Sequence, residues 1–367
     1  MDLDLVFLGT SGSVPTARRG LAGTLLRRGG ERILVDCGEG TQRQLLRSSV
    51  GLIELPEIFL THYHADHYLG LPGMLKTFAL RGRVTPLTVY GPPGLPDLFG
   101  ALQRIFGKLT YKLELVEVRD GDVVDRGDYR IVVFRVAHGV TANGYAFVEV
   151  PRPGRFDVGA AASLGVPEGP LYGRLQAGEP VDVPGVGEIR PEQVLGPPRP
   201  GRNVVISGDT APAATVLEVA TGADLLVHEA TFAEEERERA DETAHSTSAG
   251  AARLAKAAEV RMLALTHLSN RYFGPEIARE AREIFPETVV PRDFDIIDVR
   301  FPERGGPRLL KAGARATREE TEPHGGHGSG EGGGGPRGGG GDPDDPALGG
   351  DPVGASPGGR AASRGPR

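Results

Sequence analysis

Three histidines and one aspartate fall within six residues, in Thr61-His62-Tyr63-His64-Ala65-Asp66-His67. The run Ile58-Phe59-Leu60 before them favours a strand, and Leu69 to Leu80 reads as a helix. Side chains alternate along an extended segment, so His62 and His64 are expected on one side. Asp66 and His67 then reach the same volume after the chain turns. Imidazole and carboxylate donors suit Zn²⁺, Mn²⁺ or Fe, and donors divided between the two arms of a turn suit a pair of ions. As a merely polar loop, these groups would be expensive to desolvate beside an apolar strand.

The chain has nine histidines, of which His324 and His327 lie in a glycine-rich C-terminal stretch. Apolar, β-prone runs lead to or into others: Arg130 to Ala137 into His138, Ala223 to Val227 into His228, and Arg261 to Thr266 into His267. Asn203 to Gly208 leads in the same way to Asp209. Donors at the ends of several strands are how a layered αβ scaffold gathers one site from distant sequence.

The pieces recur as motifs: Phe7-Leu8-Gly9-Thr10-Ser11-Gly12, Asp36-Cys37-Gly38-Glu39-Gly40-Thr41-Gln42, and the His62 to His67 window with Leu69-Gly70-Leu71-Pro72-Gly73. Further along come Ala137-His138-Gly139, Ser207-Gly208-Asp209-Thr210, His228-Glu229-Ala230-Thr231, Ala244-His245-Ser246-Thr247 and Thr266-His267-Leu268-Ser269-Asn270-Arg271-Tyr272. In this order, over residues 1 to 302, they resemble the metallo-β-lactamase superfamily and, more closely, the ribonuclease Z family of tRNA 3′-processing endonucleases. His-Glu-Ala-Thr followed by His-Ser-Thr is what narrows the superfamily to ribonuclease Z.

The resemblance implies two Zn²⁺ ions, with Mn²⁺ or Fe as alternatives. His62, His64 and His138 would hold one, Asp66, His67 and His267 the second, and Asp209 would bridge them. Ions about 3.5–4 Å apart are the arrangement used in phosphate chemistry. It further implies that Asp66 orients or deprotonates the attacking water, and that His245, not a ligand, gives a proton to the leaving 3′-oxygen or stabilises the pentacoordinate state. Glu229 would accept from the other nitrogen of His245 and fix its tautomer. His228 stays open between a hydrogen-bonding partner and a core histidine. The implied reaction is removal of the 3′ trailer from precursor tRNA by hydrolysis 3′ of the discriminator base, leaving a 3′-hydroxyl on the tRNA.

Apolar alternation predicts strands at Leu3 to Leu8, Gly23 to Leu26, Arg32 to Asp36, Leu87 to Tyr90, Leu113 to Val118, Tyr129 to Val136 and Tyr145 to Val150. Helices are predicted at Gly40 to Arg47, Pro93 to Phe106, Ser246 to Ala258, with Ser246 as N-cap, and Pro275 to Phe285. Strands interleaved with helices indicate an α/β fold, which the resemblance specifies as a four-layer αββα sandwich over residues 1 to 304. Residues 151 to 202 carry too much Pro and Gly for long regular elements. They are similar to the flexible arm with which the family grips tRNA across a homodimer. Arg155 and Arg174, with Phe156 and Tyr172, would supply phosphate and stacking contacts there. From 305 to 367 glycine runs cannot offset chain entropy, and a disordered tail is expected.

Other properties bound the reading. The net charge of −7 offers an RNA no general polybasic surface, so recognition must depend on shape and placed contacts. The single cysteine, Cys37, makes no internal disulfide. No run of apolar residues spans a membrane and the N-terminus lacks a basic n-region, so a cytoplasmic protein is expected. The family's Lys-x-Arg-Asn tetrad is replaced by Pro15-Thr16-Ala17-Arg18-Arg19-Gly20. Arg18 or Arg19 would take over a phosphate contact, and Ser269 and Arg271 are the remaining expected substrate contacts. The alternatives are a small-molecule phosphodiesterase or related hydrolase of the superfamily, and an RNA-binding protein with a structural metal.

Overall fold

The N-terminal strand, Leu3–Gly9, shows how the layers form. Leu3, Leu5 and Phe7 join one buried cluster with Ile131, Val133, Phe147 and Val204, whereas Val6 and Leu8 join another with Leu45, Met74, Leu75 and Phe99. With both faces covered, the strand is apolar almost throughout. Its one charge, Asp4, accepts from Arg27 at 2.5 and 2.9 Å, directly across the ladder.

This is a computed structural model, and it describes residues 1–52 and 55–312. One eight-stranded sheet has the spatial order Pro307–Leu310, Ile296–Val299, Leu3–Gly9, Gly23–Arg28, Glu31–Val35, Glu57–Phe59, Leu87–Gly91, Leu113–Glu117. A second, of seven strands, runs Thr288–Val289, Leu263–Thr266, Leu225–Glu229, Asn203–Ile206, Asn143–Glu149, Tyr129–Arg135, Val123–Asp125. One apolar cluster draws on both sheets and lies between them. A second joins the first sheet to helices Leu71–Leu80 and Leu95–Phe106, and a third joins the second sheet to helices Ala214–Ala220, Ser248–Ala257 and Gly274–Ile284. The result is the expected αββα layering. Arg28 from the first sheet and Arg202 beside the second both donate to the buried Glu149, tying the sheets together at the ends of these inner strands.

Several expectations are corrected. The tail was expected from 305, yet Pro307–Leu310 pairs with Ile296–Val299 and closes the edge of the first sheet, because Leu309 and Leu310 pack on its two faces. The remainder of the expected tail, with His324 and His327, lies outside the described residues. The helix expected from Leu69 to Leu80 is found at Leu71–Leu80, and a one-turn helix that was not expected, Ala65–Tyr68, precedes it. The cap of helix Ser248–Ala257 is Thr247, which accepts from Gly250 N, while Ser246 donates to the Thr210 carbonyl. Residues 151–202 hold no long regular element, as expected, yet they have a structure of their own. They form short helices Val158–Ser163 and Pro170–Gln176 and a hairpin, Val181–Val183 with Gly187–Ile189, around an apolar cluster of their own.

Candidate metal centre and active site

His62, His138, Asp209, Glu229 and His267 lie at or just beyond the carboxyl ends of strands, and Asp66 and His67 on the one-turn helix Ala65–Tyr68 that follows one of them. Open αβ sheets place ligand sites there, because side chains from neighbouring strand ends converge where the backbone leaves the sheet. Asp36 and His267 adopt positive φ, 60° and 56°, a conformation that costs about 1–3 kcal/mol in such residues. Both face the centre, so the strain is located where the fold needs those side chains.

The hydrogen bonds of the imidazoles decide what the centre can do. His67 Nδ1 donates to Asp36 Oδ2 at 2.8 Å, and His138 Nδ1 donates to the Ala244 carbonyl at 2.9 Å. Thr231 Oγ1 gives its one proton to Glu229 Oε2 at 2.6 Å, so it accepts from His267 Nδ1 at 2.9 Å. Thr61 Oγ1 likewise donates to Asp36 and accepts from His62 Nδ1 at 3.1 Å. Four histidines therefore keep a proton on Nδ1 and turn Nε2 towards a common volume, where a cation would replace any proton and take up the lone pair. Burial, then repulsion from His67, pushes the His62 pKa down to about 2, so its Nε2 is a bare lone pair, buried and without a partner.

Separations among the facing atoms match a coordination shell. With M–N bonds of about 2.0–2.1 Å, neighbouring donors in a tetrahedron sit roughly 3.3–3.4 Å apart. His64 Nδ1 and His138 Nε2 are 3.2 Å apart. His67 Nε2 is 3.3 Å from His267 Nε2 and 3.3 Å from Asp209 Oδ2. His267 Nε2 is 3.2 Å from Asp66 Oδ2 and 3.3 Å from Asp209 Oδ2. His62, His64 and His138 form one group of close donors; His62, His67 and Asp209 form another, and Asp66, His67 and His267 a third. Burial opposes a charge on His67, but Asp209 and Asp36 outweigh it and hold its pKa well above the usual range. The centre calls for positive charge, and the donor set fits divalent cations.

His245 also comes close to His138 and Asp209, and with Glu229 to His267, but its bond to Glu229 sets it a different task. His245 Nδ1 lies 2.7 Å from Glu229 Oε1, a hydrogen-bond length and well short of the spacing between two ligands. Glu229 also accepts from Thr210 N and Thr231 N, so its orientation is fixed. His245 lies on the wall of a pocket of about 360 Å³ together with Ser13, Phe232, Arg239, Ser269 and Arg271. Arg271 is held over the Phe232 ring at 5.2 Å and reaches Glu236 at 3.0 Å.

The expected substrate contacts divide. Arg18 and Arg155 are exposed. Arg19 is not free for substrate: it donates to Thr10 Oγ1 at 2.5 Å and the Pro291 carbonyl at 2.9 Å, pinning the loop that begins at Ser13. Arg174 is paired with Glu179 at 3.1 Å. His228 is a buried strand residue bonded to the Glu229 carbonyl. The residues missed in the sequence are Asp36, Thr61 and Thr231, whose task is to orient other side chains. Each comes one or two residues after the end of a strand, and Thr61 alone also adjoins a ligand; that is the local signal they give.

Residues 23–145 match the metallo-beta-lactamase superfamily. Ribonuclease Z of Methanosarcina acetivorans is 44% identical over 304 residues, covering 82% of this chain and 99% of that protein. Ribonuclease Z of Natronomonas pharaonis is 47% identical over 308 residues, covering 83% and 100%. The chain belongs to the ribonuclease Z family. As a ribonuclease Z family member it is a hydrolytic endoribonuclease. Among solved structures, the short form of human tRNase Z has a TM-score of 0.58 at 26% identity, over 80% of this chain and 98% of that one. The metallo-beta-lactamase fold protein YhfI from Bacillus subtilis has a TM-score of 0.60 at 20% identity, over 81% and 100%, a likeness of fold.

Proposed function

We propose that this enzyme removes 3′ trailers from precursor tRNA, hydrolysing the phosphodiester 3′ of the discriminator nucleotide and leaving a 3′-hydroxyl on the tRNA. The observation that carries the chemistry is the set of Nε2 lone pairs and carboxylates spaced as ligands, with a hydrogen-bonded His245–Glu229 pair beside it. The tRNA substrate is supported by the relatives named ribonuclease Z.

His62, His64 and His138 would hold one divalent ion and Asp66, His67 and His267 the other, with Asp209 between; we take both to be Zn²⁺. Bound there, the ions supply a nucleophilic water near neutral pH and offset charge on the phosphate. Asp66, held by the Ser13 N–H at 2.8 Å, orients that water. Glu229 keeps the His245 proton on Nδ1 in the neutral ring, so in the imidazolium the proton on Nε2 is the one available to the departing 3′-oxygen. The nucleoside carrying that oxygen must lie on the His245 side of the phosphorus, where the adjoining pocket offers Arg271, seated on the Phe232 ring, for a phosphate. The active species we propose is a homodimer, to be checked by light scattering.

The test is incubation of purified protein with Zn²⁺ or Mn²⁺ and a precursor tRNA bearing a 3′ trailer. Cleavage at the discriminator, abolished by a chelator and restored by added metal, is expected. Turnover of bis(p-nitrophenyl) phosphate without that cleavage would sink the tRNA reading and favour a small-molecule phosphodiesterase.

A further inference from the structure

The 151–202 module joins the body through a narrow ribbon. Its strands continue the ladder of Asn143–Glu149 and Asn203–Ile206, pairing Arg152 with Arg199 and Phe156 with Leu195. Two strands alone are a pliable connection, marginal in stability without a third partner. Gly154 and Gly196 meet so closely that a Cβ on Gly154 would stand 1.8 Å from the Gly196 carbonyl oxygen. The module's apolar cluster is drawn from residues 156 to 194 only, so it gives the ribbon no grip on the body.

The grip comes from the other end of the chain. Phe301 and Glu303 belong to the turn before strand Pro307–Leu310. Glu303 pairs with Arg152 at 2.9 Å and with Arg199 at 3.5 Å, one arginine from each strand of the ribbon. The Arg152 guanidinium lies 3.4 Å from the centre of the Phe301 ring and that of Arg202 lies 4.2 Å from it. Arg202 is itself fixed in the body, donating to Glu149 and to the carbonyls of Met1 and Val299. Cation–π contacts strengthen when desolvated, and a guanidinium also stacks flat on a ring. One aromatic thus couples an arginine of the ribbon to an arginine of the body, and one carboxylate staples both strands.

We infer that Phe301 and Glu303 are positioning residues that set the direction in which the 151–202 module leaves the body, and thereby how well precursor tRNA is gripped. The inference rests on the reading of that module as the tRNA arm. The step it controls is binding, since neither residue belongs to the centre described above.

Phe301→Ala and Glu303→Gln are tested on the full chain. A KM for precursor tRNA raised roughly threefold or more, the scale of one lost cation–π contact, is expected, with kcat unchanged. Turnover of bis(p-nitrophenyl) phosphate stays at the parental level and reports intact folding. Phe301→Tyr, which keeps the ring, restores the parental KM. Nitroxides on Val186→Cys and Val84→Cys, both exposed positions, report the arm's direction by electron–electron distance. Cys37 is buried, its thiol pushed by desolvation to about 12, and stays unlabelled. Phe301→Ala should broaden the distance distribution. A parental KM or an unchanged distribution in Phe301→Ala overturns the inference. Deleting residues 160 to 195 separates the two claims: a raised KM there beside a parental Phe301→Ala removes the clamp alone, whereas an unchanged KM removes the arm reading and the clamp together.

Discussion

At the residue scale, the centre depends on who holds each imidazole. Asp36 is the clearest case, since it accepts from His67 Nδ1 and from both the amide and hydroxyl of Thr61, which in turn accepts from His62. One carboxylate therefore orients a histidine of each proposed ion. Asp36→Asn keeps the shape but turns a strong acceptor into a weaker one with its own donor. Metal affinity should fall about 10–100-fold, as measured by chelator competition, with secondary structure unchanged. Parental affinity in that variant would remove Asp36 from the centre. His245→Ala should behave in the opposite way. Its ring is hydrogen-bonded to Glu229 at a distance too short for a shared ligand shell, so kcat should fall roughly 10²–10⁴-fold while both ions stay bound. Loss of metal on that substitution would mean that His245 is a ligand.

At the element scale, what was legible in the sequence was what periodicity and terminal donors encode. Leu3–Gly9, Tyr129–Arg135 and Leu95–Phe106 are long, apolar and doubly or singly buried, and their expected bounds differ from those found by one or two residues. Less legible were turns set by backbone contact. The break between Ala65–Tyr68 and Leu71–Leu80 arises because the Gly70 N–H reaches the Cys37 carbonyl at 2.9 Å, while the Cys37 N–H takes the His67 carbonyl at 2.7 Å. No side-chain pattern records that. The 151–202 core was hidden for a related reason: Ala161, Val166, Leu175 and Ile189 are scattered among Pro and Gly, and only tertiary packing gathers them. The glycine contact gives a prediction at this scale. A Cβ on Gly70 would meet the Gly38 carbonyl oxygen at 2.2 Å, so Gly70→Ala must move the turn that carries Asp66 and His67. Urea unfolding should show a loss of about 1–3 kcal/mol together with weaker metal binding. Gly73, three residues on, faces open space within a helix, and Gly73→Ala should be neutral or stabilising by up to ~1 kcal/mol. Equal effects at the two positions would contradict a steric cause.

At the scale of the whole molecule, an enzyme of net charge −7 must bind a polyanion without a general basic surface. Many of its arginines are already paired within the fold: Arg28 and Arg202 with Glu149, Arg27 with Asp4, Arg174 with Glu179 and Arg190 with Glu188. The exposed pairs on the 151–202 module are weak and can exchange a glutamate for a phosphate at little loss, because surface ion pairs contribute only about 0–1 kcal/mol. The module can thus be a seat of affinity even though Arg174 and Arg190 are paired. Deleting residues 160 to 195 should leave the body folded, since the module's apolar cluster shares no residue with the three clusters that hold the sheets and helices. Turnover of bis(p-nitrophenyl) phosphate should therefore be unchanged while the KM for precursor tRNA rises. Salt separates phosphate contacts from a folding effect. Each phosphate contact contributes about 0.7–0.9 to the slope of log affinity against log salt. The deleted enzyme should bind precursor tRNA with a shallower slope, by roughly one unit for each contact removed. A parallel pair of salt plots, displaced but equal in slope, would show that the module aids binding by shape alone and that its arginines keep their glutamates in the complex.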